Sequence, residues 1–168
     1  AGNRVERLVG ILNGTCNFIL TGMQDDRSDY AEGLLQAQAN GYAEADPSVD
    51  VEGVDAAHKL TILASIAYGV HLDFKSVHVE GITEVTKDDI IYARELGYRI
   101  KHLGIARRLG NGLDLRVHPC LVGDDHLLSS VSGVMNAIVV NGDAVGETLF
   151  YGAGAGAQPT ASAVVADL

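Results

Sequence analysis

The chain has 168 residues, 47% of them apolar, with 22 acidic against 12 basic side chains and a net charge of −10. That suffices for one good core, as one domain or one domain plus an extension, and the acidic balance leaves no basic stripe to neutralise nucleic-acid phosphates. No run of about 18 apolar residues indicates a membrane span, and AGNRVERLVG lacks the long apolar region of a signal peptide, so the cytoplasm is the default expectation. Cys16 and Cys120 show no CxxC spacing, and the six histidines share no metal-ligand spacing, so no metal site is expected. Both cysteines read as buried, reduced thiols.

Apolar residues at Val5, Leu8, Val9, Leu12, Phe18, Ile19 and Leu20 predict a helix over Arg4 to Met23. Gly10 and Asn13-Gly14-Thr15 interrupt it, with Gly14 a close-packed or ligand-facing point. Ser28 or Asp29 caps a second helix through Asn40, with Leu34, Leu35 and Ala39 inward and Gly41 as the stop. The next stretch, GYAEADPSVDVEGVDAAHKL from Gly41 to Leu60, concentrates acids at the mouth of the most apolar helical run. Glu44, Asp46 and Asp50 lie in a turn broken by Pro47, and Asp50 is a plausible N-cap for a third helix from about Val51 to Tyr68, ending at Gly69. Asp55 and Lys59 share a face at i,i+4, with Glu52 nearby. Leu60, Ile62, Leu63, Ile66 and Ala67 leave that helix almost no polar side, which predicts burial with its charged first turns opening on a cavity or an interface. A buried Lys59 calls for an acid partner such as Asp55, although the same pair also suits an ordinary surface helix.

Val77, Val79 and Ile82 alternate like a strand, and Thr86 to Leu96 returns to a capped helix. Tyr98 to Leu109 and Leu113 to Val122 flank Gly110-Asn111-Gly112, and Val134 to Val140 and Ala144 to Tyr151 flank Asn141-Gly142-Asp143, so two hairpins are expected. Leu127 to Val131 reads as a short helix. The whole predicts an α+β fold, with helices packed on one face of a largely antiparallel sheet. Because Val134 to Val140 is apolar on both sides, the other face is expected to meet a second copy in a homodimer. The last stretch passes from a strand through a glycine loop into a helix with Pro159 near its first turn. Gly152, Gly154 and Ala157 satisfy G-x-G-x-x-A, but no strand with an acid follows, so this is not a complete Rossmann unit. A flexible loop leading into a terminal helix is the competing reading. In the other reading, free N–H groups at the helix start favour polar or anionic ligand atoms.

Three blocks, GILNGTCNFIL at Gly10 to Leu20, GYAEADPSVDVEGVDAAHKL, and YGAGAGAQPTASAVVADL at Tyr151 to Leu168, together with the weaker HLLSSVSGVMNAIVVNGDAVGETLFYG, resemble the substrate-binding and catalytic part of the homoserine dehydrogenase family. The family more often has threonine at the position of Cys16 and proline at that of Ala45. It also has an N-terminal nucleotide-binding domain, with a second catalytic lysine, and often a C-terminal ACT domain. Residues 1–168 therefore resemble a fragment, expected to fold alone but not to turn over substrate.

The resemblance implies interconversion of L-homoserine and L-aspartate 4-semialdehyde with NAD or NADP, in the threonine, methionine and isoleucine branch of the aspartate pathway. By the same resemblance Lys59 is the catalytic lysine and Asp55 orients it. Glu44 and Asp50 receive the substrate ammonium, Thr15 and Tyr42 add hydroxyl contacts, and Gly152, Gly154 and Gly156 face the nicotinamide end of the cofactor. Residues 152–168 would then lead back towards the nucleotide-binding domain. From the residues alone, a non-catalytic dimerisation domain or an amine- or cation-binding effector domain remains open, as does a dehydrogenase acting on another semialdehyde.

Overall fold

The structure, a computed structural model, describes residues 2–71 and 74–168. Where the apolar spacing predicts one helix over Arg4 to Met23, it has strand β1 (Val5–Ile11) followed by helix α1 (Gly14–Asp25). Val5, Leu8, Val9 and Leu12 do fit a helical period. Leu8 to Leu12 is also an unbroken apolar run, however, as a strand covered on both faces requires. The break at Asn13-Gly14-Thr15 is the change from strand to helix.

The chain continues through α2 (Tyr30–Ala39), α3 (Ser48–Val51), α4 (Val54–Tyr68), β2 (His78–Val79), α5 (Lys87–Glu95), β3 (Tyr98–Leu109), β4 (Gly112–Gly123), β5 (Met135–Gly142), β6 (Gly146–Ala153) and α6 (Ala157–Ala166). Single 3-10 turns occupy Phe74–Ser76 and Leu127–Ser130. The six strands form one sheet in the order β2-β4-β3-β1-β5-β6, antiparallel except where β2 runs parallel to β4. This is the α+β fold expected. The N-terminal strand lies at its centre, Leu8 standing opposite Ala106 of β3 on one side and Val140 of β5 on the other.

The details depart from the expectation in five places. An Asp29–Glu32 capping box starts α2, but its buried face is Gly33 and Ala37, with Gly33 against Ile19, while Leu35 and Ala39 are exposed and Leu34 is half-buried. The helix expected from Val51 is interrupted by Gly53 at φ 83°, a left-handed conformation that glycine adopts without steric cost, so Asp50 lies inside α3 instead of capping α4. Ile62 and Ile66 on α4 are exposed at 60% and 76%, so only the Leu60 and Ala64 side of that helix is buried. In the second hairpin Gly142 pairs with Gly146, which moves the turn to Asp143, Ala144 and Val145. β2 is only two residues long, and Ile82, instead of extending it, donates its N–H to the Val51 carbonyl.

Three apolar clusters hold these elements together. Ala56, Ala57, Leu60 and Ala64 of α4 pack with Leu8, Ala106, Leu115 and Val117, which the strand register places on one face of the sheet. Cys16, Ile19, Leu20 and Met23 of α1 form a second cluster with Ala37, Ile90, Ala93 and Ile100. On the opposite face, Val9, Ile11, Leu103, Ala137 and Val139 cluster with Leu128 and Val131, so the chain itself covers part of the surface expected to need a second copy.

Lys101 of β3 is fully buried beside this third cluster, its Nζ donating to the Val131 carbonyl at 2.6 Å and lying 3.4 Å from Asn17 Oδ1. The Asn17 amide in turn contacts the carbonyls of Val131, Gly133 and Met135, tying α1 to the start of β5. Burial, reinforced by the charge of Arg99, pushes the Lys101 ammonium down from 10.5 to about 8. The folded chain therefore releases this proton near pH 8 and the unfolded chain near 10.5, so the unfolded state binds more protons in between and this group's contribution to stability rises with pH. Urea unfolding of the native chain and Lys101→Met across that window checks this. The native chain should gain stability relative to the variant as pH rises, and parallel pH profiles would contradict it.

Candidate active site

Helix α1 begins where Asn13 caps it, the side-chain oxygen accepting from the Cys16 N–H at 2.8 Å. With the oxygen committed to the helix end, the amide nitrogen faces away from it. It donates to Asp50 Oδ1 at 2.7 Å and to Asp55 Oδ2 at 2.9 Å, so both its hydrogens go to carboxylates carried by α3 and α4. The Thr15 hydroxyl donates to the Tyr42 carbonyl at 2.8 Å and lies 3.3 Å from Asp50 Oδ2. One turn along α4 from Asp55, Lys59 Nζ donates to Asp55 Oδ2 at 2.7 Å and to the Leu12 carbonyl, the last before the cap, at 3.2 Å.

Lys59, Asp55, Glu44, Asp50, Thr15 and Tyr42, all singled out from the sequence, line one cleft of about 480 Å³, whose wall also includes Val134 and Gly156. Lys59 is shared with an adjoining, more apolar opening of about 320 Å³, lined in part by Leu12, Ile62, Asn136 and Gly154. The three glycines thus separate: Gly156 borders the cleft, Gly154 borders the second opening, and Gly152 lies in β6 opposite Asn136. Gly14 is both close-packed and cleft-facing, since a β-carbon there would sit 2.8 Å from the Val134 carbonyl oxygen.

Two site members escape sequence reasoning. Asn13 carries a legible signal, an asparagine directly before a helical run, but that signal announces a cap and not a bridge between two distant acids. The Leu12 carbonyl carries none, because a backbone acceptor is independent of residue type.

The cleft's acids differ in what they have left to bind with. Asp50 has one protein donor near each oxygen, and Asp55 Oδ2 takes two donors. Glu44 is exposed, and among the described residues its carboxylate accepts no hydrogen bond; only its backbone carbonyl is engaged, by Gln38. Behind the acids, Cys16 Sγ donates to the Asp50 carbonyl at 3.2 Å. Burial, with the negative charges of Asp50 and Asp55 behind it, pushes its thiol far above the ordinary range, which keeps it protonated and unreactive. Outside the cleft, His58 stacks on Phe74 with ring centroids 4.2 Å apart.

The sequence profile of the homoserine dehydrogenase family matches residues 1–168. The chain belongs to the homoserine dehydrogenase family. A homoserine dehydrogenase of Pseudomonas aeruginosa is 61% identical to it over 168 residues, which is all of this chain and 39% of that relative. The crystal structure of a homoserine dehydrogenase from Thiobacillus denitrificans superposes with a TM-score of 0.96 at 59% identity, covering 98% of this chain and 38% of that one. A hyperthermophilic archaeal homoserine dehydrogenase in complex with NADPH gives 0.82 at 29% identity, over 99% of this chain and 47% of its own. The chain therefore spans about two fifths of the length of the curated relatives it matches.

The geometry at Asn13 makes two substitutions diverge. Asn13→Ala loses the cap, at a cost of about 1 kcal/mol. Asn13→Asp keeps a capping oxygen but sets a third carboxylate against Asp50 and Asp55, so it should be the less stable of the two, with salt narrowing the gap. Thermal unfolding at low and high ionic strength measures this, and an Asn13→Asp chain as stable as the native one would show that the bridge is dispensable.

Proposed function

We propose that this cleft interconverts L-homoserine and L-aspartate 4-semialdehyde with a nicotinamide cofactor, NAD or NADP. The observation that carries the proposal is the placement of Lys59 at the junction of an acid-lined cleft and an apolar opening bordered by Gly154. An amino-acid substrate with a terminal hydroxyl needs both environments: carboxylates for its ammonium, and a proton-handling group at the reacting oxygen.

Lys59 has three donor positions as an ammonium, two of them occupied by Asp55 Oδ2 and the Leu12 carbonyl. The third is left for the substrate oxygen. In alcohol oxidation Nζ acts as the neutral amine and takes the hydroxyl proton, becoming the ammonium; in the reverse direction the ammonium polarises the carbonyl and gives that proton to the forming alkoxide. Asp55 orients the lysine, Asn13 orients Asp55, and the uncommitted Glu44 carboxylate receives the substrate ammonium. Asp50 adds negative charge to the same region, and Thr15 and Tyr42 complete its wall.

When bound, the nicotinamide accepts a hydride in one direction and donates it in the other. The residues present fit the nicotinamide end of such a group. A β-carbon at Gly154 would overlap the Asn136 side-chain amide, so glycine lets the loop lie against Asn136 without displacing it, and α6 begins at Gly156 without a side-chain cap on its first N–H groups. α6 is exposed along its length, with Val164 and Val165 uncovered, which suits a helix that packs on a nucleotide-binding domain of the kind the family has. The NADPH held by the archaeal relative supports this choice of cofactor class.

We extend the proposal to a homodimer formed through the sheet, supported by Leu149 and Tyr151 exposed on the edge strand β6. Analytical ultracentrifugation should give twice the mass of the chain, and a monomer would end that part of the proposal.

The catalytic reading is tested with this chain joined to a nucleotide-binding domain of the family, following reduced cofactor by absorbance. Lys59→Ala should lower kcat on the order of 10²–10⁴-fold with a smaller change in KM, because proton transfer acts in the transition state. Glu44→Gln should instead raise KM for homoserine by about tenfold or more, since it removes the charge paired with the ammonium. An intact kcat in the first variant, or an unchanged KM in the second, would remove that residue from its role.

A further inference from the structure

Away from the cleft, the last turn of α1 and the outer face of α5 enclose a cavity of about 470 Å³, within the range of small-molecule sites. Its floor is apolar, with Met23 and Ile90 buried in the second core cluster and Ile91 half-open at the mouth. Its rim is cationic, carrying Arg27, Lys87 and Arg94 against the single acid Glu95.

Two features set this rim apart from an ordinary solvated face. First, in a chain with net charge −10 it gathers three of the 12 basic side chains, and among the described residues none of the three has a carboxylate within 4.0 Å. The neighbouring Arg99, by contrast, is neutralised by Asp25 at 3.2 Å and Asp124 at 3.7 Å. Second, Arg27 has φ 57°, the sole positive φ at a non-glycine among the described residues. It directly follows the C-cap of α1, and a residue with a β-carbon seldom adopts that conformation.

We propose that this cavity binds a small organic anion with a short apolar body, the anionic group held by Arg27, Lys87 and Arg94 and the body lying on Met23, Ile90 and Ile91. The charge pattern selects the class: an uncharged apolar ligand would leave three cations unpaired, and a fully hydrated inorganic anion would leave the apolar floor unused. Carboxylate and phosphomonoester share the required chemistry. The site is independent of the dehydrogenase reading, because none of its residues lines the Lys59 cleft.

Titrating the isotope-labelled chain with hexanoate, hexanamide and isopentyl phosphate, followed by backbone amide NMR, tests it. Saturable shifts confined to residues 23–27 and 87–95 are expected with one or both anions, the tighter one naming the head group, and much weaker shifts with hexanamide. Arg94→Glu, an exposed substitution whose spectrum also reports its fold, should weaken the anion by about tenfold or more. Equal binding of hexanamide, no saturable shift with either anion, or undiminished binding by Arg94→Glu would each overturn the proposal.

Discussion

The candidate active site depends on one amide. Asn13 sits where β1 ends and α1 begins, its oxygen fixing the helix end and its nitrogen fixing two carboxylates that arrive from elsewhere in the chain. Acids brought this close repel each other, and a neutral donor shared between them eases the repulsion without cancelling the negative charge of the cleft. Because the cap requires the oxygen to face the helix, the nitrogen has no second choice of direction. Local helix chemistry and the electrostatics of the cleft are therefore set by the same side chain.

From that point the acids become unequal. Asp55 is occupied by Asn13 and Lys59, and Asp50 by Asn13 and Thr15, so their roles are largely to orient and to set the field. Glu44, whose carboxylate accepts no hydrogen bond among the described residues, is the acid with its oxygens uncommitted. Lys59, anchored at two of its three donor positions, has its free direction defined by what holds the other two. A site of this kind is rigid in its supporting groups and open in the few that act, as binding of a small polar substrate requires.

Much of this was legible in the sequence because several signals were local. The Asp29–Glu32 capping box, the asparagine-glycine turn between β3 and β4, and the i,i+4 pair of Asp55 and Lys59 each declare themselves within a few residues. The residues of the acid-rich stretch meet in one cleft even though its helix is broken at Gly53, since a short turn and a helical turn both bring Asp50, Asp55 and Lys59 to the same end of α4. What failed was non-local. Whether Val5 to Leu12 becomes helix or strand depends on partners more than 90 residues away, and its apolar spacing fits either outcome. The buried face of α2 was misjudged because Gly33 allows the close approach of Ile19, a matter of fit and not of hydrophobicity. The bond from Asn13 to the two acids likewise exists only once the fold has formed.

The central position of β1 has a consequence for how the molecule is made. Its neighbours are strands of two hairpins that come much later in the sequence, and Val5 pairs with Gly142. During synthesis the Leu8 to Leu12 segment leaves the ribosome well before β5 and finds its second sheet neighbour only after β5 has followed, so it waits with its backbone edge and apolar side chains uncovered. A topology with such distant pairings folds slowly and leaves an apolar segment of this kind open while it does so. Demand for protection by chaperones during synthesis is thus written into the strand order itself.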